Sequence, residues 1–164
     1  MKITSKEANN MLRVLADNKR KILTDERQDC EFHAAANENA DELRPDYDFA
    51  KVNTELEQID NDVMKLKHAI NVFNSTSVVG ETGLTVDQIL IKIAQLSQRK
   101  DRLDIMRVAP KKRRGTISGA IIDYVYTSYS PEDAQKKYND VSYELKELQQ
   151  ALDLFNSTVT FDYE

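Results

Sequence analysis

The chain has 164 residues, of which 31% are charged and 40% hydrophobic, with 4 Gly, 3 Pro, 1 Cys, no Trp and a formal net charge of −5. So few turn formers exclude collagen-like repeats and turn-rich sandwiches, and predict a mainly α fold built as a single helical-bundle domain over residues 1–164. The lone Cys30 rules out an intrachain disulfide and any multi-cysteine zinc site, no apolar run reaches the roughly 18 residues of a membrane span, and Met1 to Glu7 is too polar for a signal peptide. A cytoplasmic protein without a membrane span is expected.

The first helix opens at Thr4, whose spacing to Glu7 is that of a capping box, and carries an apolar stripe of Ala8, Met11, Leu12, Leu15 and Ile22. The stripe fades after Leu23. With no strong breaker before Pro45, the helix is expected to fray or run on exposed, with a loop at about Asn37 to Pro45. Phe49, Val52, Leu56, Ile59, Val63, Leu66, Ile70 and Phe73 then recur at alternating steps of three and four. That unbroken heptad seam predicts a long helix packed lengthwise on another. After Gly80 and Gly83, Thr85 and Gln88 form a second capping box, for a helix bearing Val86, Ile89, Leu90, Ile93, Leu96, Leu103 and Met106, its seam interrupted by Lys100.

Pro110 ends that helix and leads into the basic turn Lys111-Lys112-Arg113-Arg114-Gly115. From Ile117 to Thr127, β-branched and aromatic residues alternate, which predicts a strand with Ile122, Tyr124 and Tyr126 on one face. Its partner is open: Thr158 to Tyr163, Ser75 to Val79, or a second copy of the chain. Ser130-Pro131-Glu132-Asp133 starts the last helix with a capping serine, a proline at the first helical position and acids in the first turn. A second seam, Ala134, Tyr138, Val141, Leu145, Leu148, Leu152 and Phe155, completes an antiparallel helical bundle with long heptad-patterned helices and a small β element, comprising the strand near 117–127 and a short C-terminal strand.

Two long helices end alike. Ala69-Ile70-Asn71-Val72-Phe73-Asn74-Ser75-Thr76 echoes Ala151-Leu152-Asp153-Leu154-Phe155-Asn156-Ser157-Thr158 in the same heptad phase. This is either a duplication or a shared demand of helix ends, with Asn in a left-handed cap.

The order of these elements resembles a family of small, mostly uncharacterised bacterial proteins, some known as septicolysin-like. The resemblance rests on the N-terminal helix, the helix ending Ala69-Ile70-Asn71 to Asn74, the Leu84-Thr85 entry to the next helix, and the basic linker. It continues through the strand around Ile122-Asp123-Tyr124-Val125-Tyr126-Thr127 and the closing helix from Tyr143-Glu144-Leu145 to Asn156. It spans nearly the whole chain and implies a common fold; the family name implies a cytolysin. The chain departs from the family pattern in lacking a tryptophan near the C-terminal asparagine.

Charge is unevenly placed. Thr24 to Asp48 holds nine acidic residues against Arg27 and Arg44, whereas Arg99 to Arg114 holds eight basic residues against Asp101 and Asp104. Such asymmetry suits binding an anion, or lets the two blocks face each other within a molecule or across an oligomer, the plainer reading being a solvated charged surface. Cys30-x-x-His33 has no further ligand pair to close a metal site, and no nucleophile elbow, phosphate loop or dinucleotide fingerprint is present. The chain reads as no enzyme, with no cofactor and no metal site. Its chemistry lies in Lys111, Lys112, Arg113 and Arg114, suited to phosphates, and in Tyr124 and Tyr126 (with Tyr129), suited to stacking on a base. A plainer account makes the basic turn a solvated connector and the tyrosines strand core.

Duplex nucleic acid is disfavoured by a pI near 5.2. Two seams and a strand without an assured partner predict a homo-oligomer. The function expected is a self-associating, non-enzymatic protein that binds, and in one form sequesters, a small phosphorylated, nucleotide-like ligand. The alternative is a structural or protein-interaction helical module with no small-molecule ligand, and membrane lysis follows only from the family name.

Overall fold

Thr4 caps the first helix as its spacing to Glu7 predicts: the Glu7 amide donates to Thr4 Oγ1 at 3.2 Å and the Thr4 amide to Glu7 Oε2 at 2.8 Å. The Thr4 amide, and the Thr4 hydroxyl donating to the same oxygen at 2.9 Å, stabilise the carboxylate, so the Glu7 carboxyl titrates below its usual range. Replacing Thr4 with Ala is expected to cost about 1 kcal/mol in urea unfolding, because an orphan helix amide loses its acceptor.

The computed structural model describes residues 1–115 and 122–163. Among these it holds five α-helices and two antiparallel sheets of two strands each, a mainly α fold with small β elements. In order they are β1 (Lys2–Thr4), α1 (Ser5–Asp29), α2 (Ala40–Leu43), α3 (Phe49–Thr76), α4 (Val86–Arg107), β2 (Lys112–Arg114), β3 (Tyr124–Tyr126), α5 (Pro131–Thr158) and β4 (Thr160–Asp162). The chain divides into two compact units, one of Met1–Phe73 with the residues from Asn156 onward, the other of Asn74–Phe155. Both divisions fall between Phe and Asn of the internal echo.

In the first unit α1 and α3 run antiparallel. Ala8 clusters with Leu66, Lys19 Nζ lies 2.5 Å from Asp60, and the Tyr47 hydroxyl just before α3 donates to Glu26 at 2.7 Å. The heptad seam of α3 turns inward along its length except at its first residue, Phe49, which stays 67% exposed. β1 and β4 pair in the register Lys2 to Asp162, Ile3 to Phe161 and Thr4 to Thr160. This buries Ile3 with Ala8 and Leu66, and Phe161 stacks on Phe73 with ring centres 4.7 Å apart. The C-terminal strand was legible from its alternation; its partner Lys2–Thr4 was not.

α1 stops at Asp29 rather than running towards Pro45, and the expected loop contains the single turn α2, capped by Asn39 Oδ1 on the Asp41 amide at 3.2 Å. α3 does not end in a left-handed asparagine either. Asn74, Ser75 and Thr76 are its last helical residues, and no non-glycine described residue has positive φ.

In the second unit α4 and α5 are likewise antiparallel: Arg107 reaches Gln135 at 3.1 Å, Lys92 reaches Glu144 at 2.6 Å, and between them the Lys100 ammonium sits 5.7 Å from the Tyr138 ring. Val86, Ile89, Leu96 and Leu103 of α4 and Ala134, Val141, Leu145, Leu148 and Leu152 of α5 are buried, as their seams predict, whereas Leu90 of the α4 stripe is exposed. Gly83 takes the left-handed φ of 68° that closes the turn before α4, where the Val79 amide donates to the Leu84 carbonyl. The Thr85 amide then donates to Gln88 Oε1 at 3.0 Å.

Candidate functional site

The basic run is a strand, not a turn. Lys112, Arg113 and Arg114 form β2, and β3 pairs with it in the register Lys112 to Tyr126, Arg113 to Val125 and Arg114 to Tyr124. The tyrosine strand therefore has a partner within the chain, β2, which is neither Thr158 to Tyr163 nor Ser75 to Val79. Of the strand expected over 117–127, Tyr124–Tyr126 is observed, while Ile117 to Ile121 lie outside the described residues.

Directly opposed residues of a sheet share a face and neighbours along a strand alternate. Lys112, Arg114, Tyr124 and Tyr126 consequently lie on one face, and Arg113 with Val125 on the other. The Lys112 ammonium sits 4.0 Å from the centre of the Tyr124 ring and 5.5 Å from that of Tyr126. An ammonium over a π face is held by the ring quadrupole. The two rings are tilted by 55° with centres 6.5 Å apart. They are not strand core, being 48% and 61% exposed. Gly115 continues the ladder, its amide donating to the Asp123 carbonyl at 3.0 Å, and a Cβ at that position would collide with the Asp123 carboxylate.

Lys111 is committed elsewhere. Its ammonium lies 2.7 Å from Glu132 Oε1 in the first turn of α5. The Lys111 hydrogen bond, with smaller help from the Glu132 backbone amide and the Ser130 hydroxyl, lowers the Glu132 carboxyl to about 2. A depressed carboxylate pKa favours the paired state above the ordinary value and loses that favour as pH falls through the depressed one. The pair is therefore expected to persist below pH 4.5 and open only near pH 2, read from the Glu132 carboxyl resonance with Glu132→Gln as its assignment. A midpoint near 4.5 would mean that the pair does not form in solution.

Tyr129, the third candidate for stacking, has its hydroxyl on the Met106 carbonyl at 3.1 Å and acts as a strut. The candidate site is thus the shared face of Lys112, Arg114, Tyr124 and Tyr126, with Arg113 on the opposite face. The acidic block folds in the first unit into a cleft of about 360 Å³ with Asp25, Asp29, Asp46, Asp48, Lys51 and Glu55 in its walls. There the Glu26 carboxylate, by accepting a hydrogen bond from the Tyr47 hydroxyl, pushes that phenol up to about 12. The signal for this contact was faint, since nothing in Asp46-Tyr47-Asp48 specifies Glu26.

No family model and no curated protein matches the chain. Among solved structures, a functionally unknown conserved protein from Corynebacterium diphtheriae is similar to it, with a TM-score of 0.65 and 16% identity over 99% of this chain and 100% of that one. At that identity the likeness shows the fold. No helix among the described residues is long and apolar enough to cross a membrane.

Proposed function

We propose that this is a non-enzymatic, cytoplasmic, self-associating protein that binds a small phosphorylated, nucleotide-like ligand on the β2–β3 hairpin. The observation that carries the reading is the shared face of Lys112, Arg114, Tyr124 and Tyr126, with the Lys112 ammonium 4.0 Å above an exposed tyrosine. Cations there meet phosphate oxygens, Arg114 through a planar fork of donors, while the rings beside them offer a stacking surface to a base. Capture without turnover suits such a face, because it brings cations and rings to a ligand without a paired acid and base.

The test is calorimetry with ATP, ADP-ribose, a cyclic nucleotide and inorganic phosphate at two salt concentrations. Nucleotides are expected to bind more tightly than phosphate. Tyr124→Ala is expected to weaken them by roughly tenfold, in line with about 1–3 kcal/mol for a stacked base, while leaving phosphate little changed. A wild type that binds none of the four returns the protein to the second reading, a helical protein-interaction module. That reading has its own support in Ile91 and Ile105, exposed on one side of α4.

A further inference from the structure

The hairpin has two outer edges. The Gly115 amide donates to Asp123 and the Thr127 amide to Lys111, so the alternation of an antiparallel ladder makes 115/123, 113/125 and 111/127 its hydrogen-bonded pairs. The backbone N–H and C=O groups of Tyr124 and Tyr126 therefore point away from β2, and those of Lys112 and Arg114 point away from β3. Among the described residues no third strand joins this sheet. An edge of this kind is a template for another strand.

The two edges differ in what they accept. A second β2 laid along β2 would oppose three cations to three cations, which like-charge repulsion disfavours. β3 has no charge, and Tyr124, Val125 and Tyr126 are all exposed. We propose that β3 is the self-association seam, pairing antiparallel with β3 of a second copy about a two-fold axis at Val125. In that register each Tyr124 lies opposite Tyr126 of the other copy in a hydrogen-bonded pair, which uses the outward-pointing groups. The two Val125 residues then oppose each other in a non-hydrogen-bonded pair. It is the register that matches all three residues of β3 with strand residues of the copy.

The consequence for binding is direct. All four tyrosines of the pair lie on one face of a four-stranded sheet, bordered on each side by Lys112 and Arg114. The inference rests on the self-association and hairpin reading above and adds that the ligand platform is built from two chains.

Two variants test the seam. Val125→Glu places two carboxylates face to face across the axis, while within its own hairpin the new carboxylate stands opposite Arg113, which favours the fold. The expected result is a shift from dimer to monomer in sedimentation at tens of micromolar, with unchanged far-ultraviolet circular dichroism and weakened ATP binding. Val125→Cys, in a Cys30→Ser background because Cys30 is exposed, is expected to cross-link into disulfide dimers under mild oxidation. Non-hydrogen-bonded partners stand about 4.5 Å apart at Cα, within disulfide reach. Ile122→Cys, out of register, is expected not to cross-link.

A wild type that sediments only as an 18.8 kDa monomer overturns both the seam and the self-association on which it rests. A dimeric wild type whose Val125→Glu variant stays dimeric, and whose Val125→Cys variant fails to cross-link, overturns the seam alone. A monomeric Val125→Glu variant that binds ATP as tightly as the wild type overturns the shared platform and leaves the single-hairpin reading standing.

Discussion

Truncating Leu66 to Ala is expected to lower the unfolding free energy by about 2–5 kcal/mol, measured by urea denaturation. Leu66 has 0% exposure and clusters with Ile3 and Ala8, with Met11, Leu12 and Ile70 packed around them. The loss combines the transfer of a buried side chain with a cavity that α1 and α3 cannot close, since each is a continuous helix fixed at other points along its length. Met64, two residues away and 62% exposed, is the control: its change to Ala is expected to cost no more than about 0.5 kcal/mol. Leu148 holds the echoed position in α5 and is buried in the second unit, so Leu148→Ala is expected to fall in the same range as Leu66→Ala. Losses below about 0.5 kcal/mol for both leucines would mean that the heptad phase does not describe the packing.

Reversing Arg114 to Glu is expected to abolish nucleotide binding, while reversing Arg113 leaves most of it. Arg114 stands opposite Tyr124 on the face that holds Lys112, whereas Arg113 stands opposite Val125 on the other face. A carboxylate at 114 repels phosphate and replaces a fork of donors with acceptors; at 113 it weakens only the field. Both variants change the net charge equally, from −5 to −7, so general attraction of an anion predicts equal losses. Calorimetry with ATP separates the two, and equal losses would reduce the hairpin to a charged surface.

What the sequence disclosed depended on the range of the interaction that fixes each element. The Thr4–Glu7 and Thr85–Gln88 caps need only neighbours three residues apart, and the seams of α3 and α5 repeat one rule over many turns, so both were legible. The strands are three residues long, and distant partners fix them. Lys112-Arg113-Arg114 has neither β-branched residues nor alternation and becomes a strand because Tyr124-Val125-Tyr126 offers it a ladder. Nothing in the sequence therefore distinguishes the four cations, whereas pairing sends Lys112 and Arg114 to the tyrosine face and Arg113 to the other. Lys111 was removed from the set by Glu132, whose place in the first turn of α5 was legible but whose reach to Lys111 was not.

The β1–β4 ladder sets a timetable for the ribosome. The Met1 ammonium donates to the Tyr163 carbonyl at 2.8 Å, across a separation of 162 positions, and Ile3 is covered with the help of a strand made at the far end of the chain. α1 and α3 can pair as soon as both have emerged, but β1 must wait, its edge unpaired, until Thr160–Asp162 has left the exit tunnel. Closing so long a loop is entropically costly and slow compared with local helix pairing. Within the first unit the two long helices are thus synthesised well before the strand that completes its sheet.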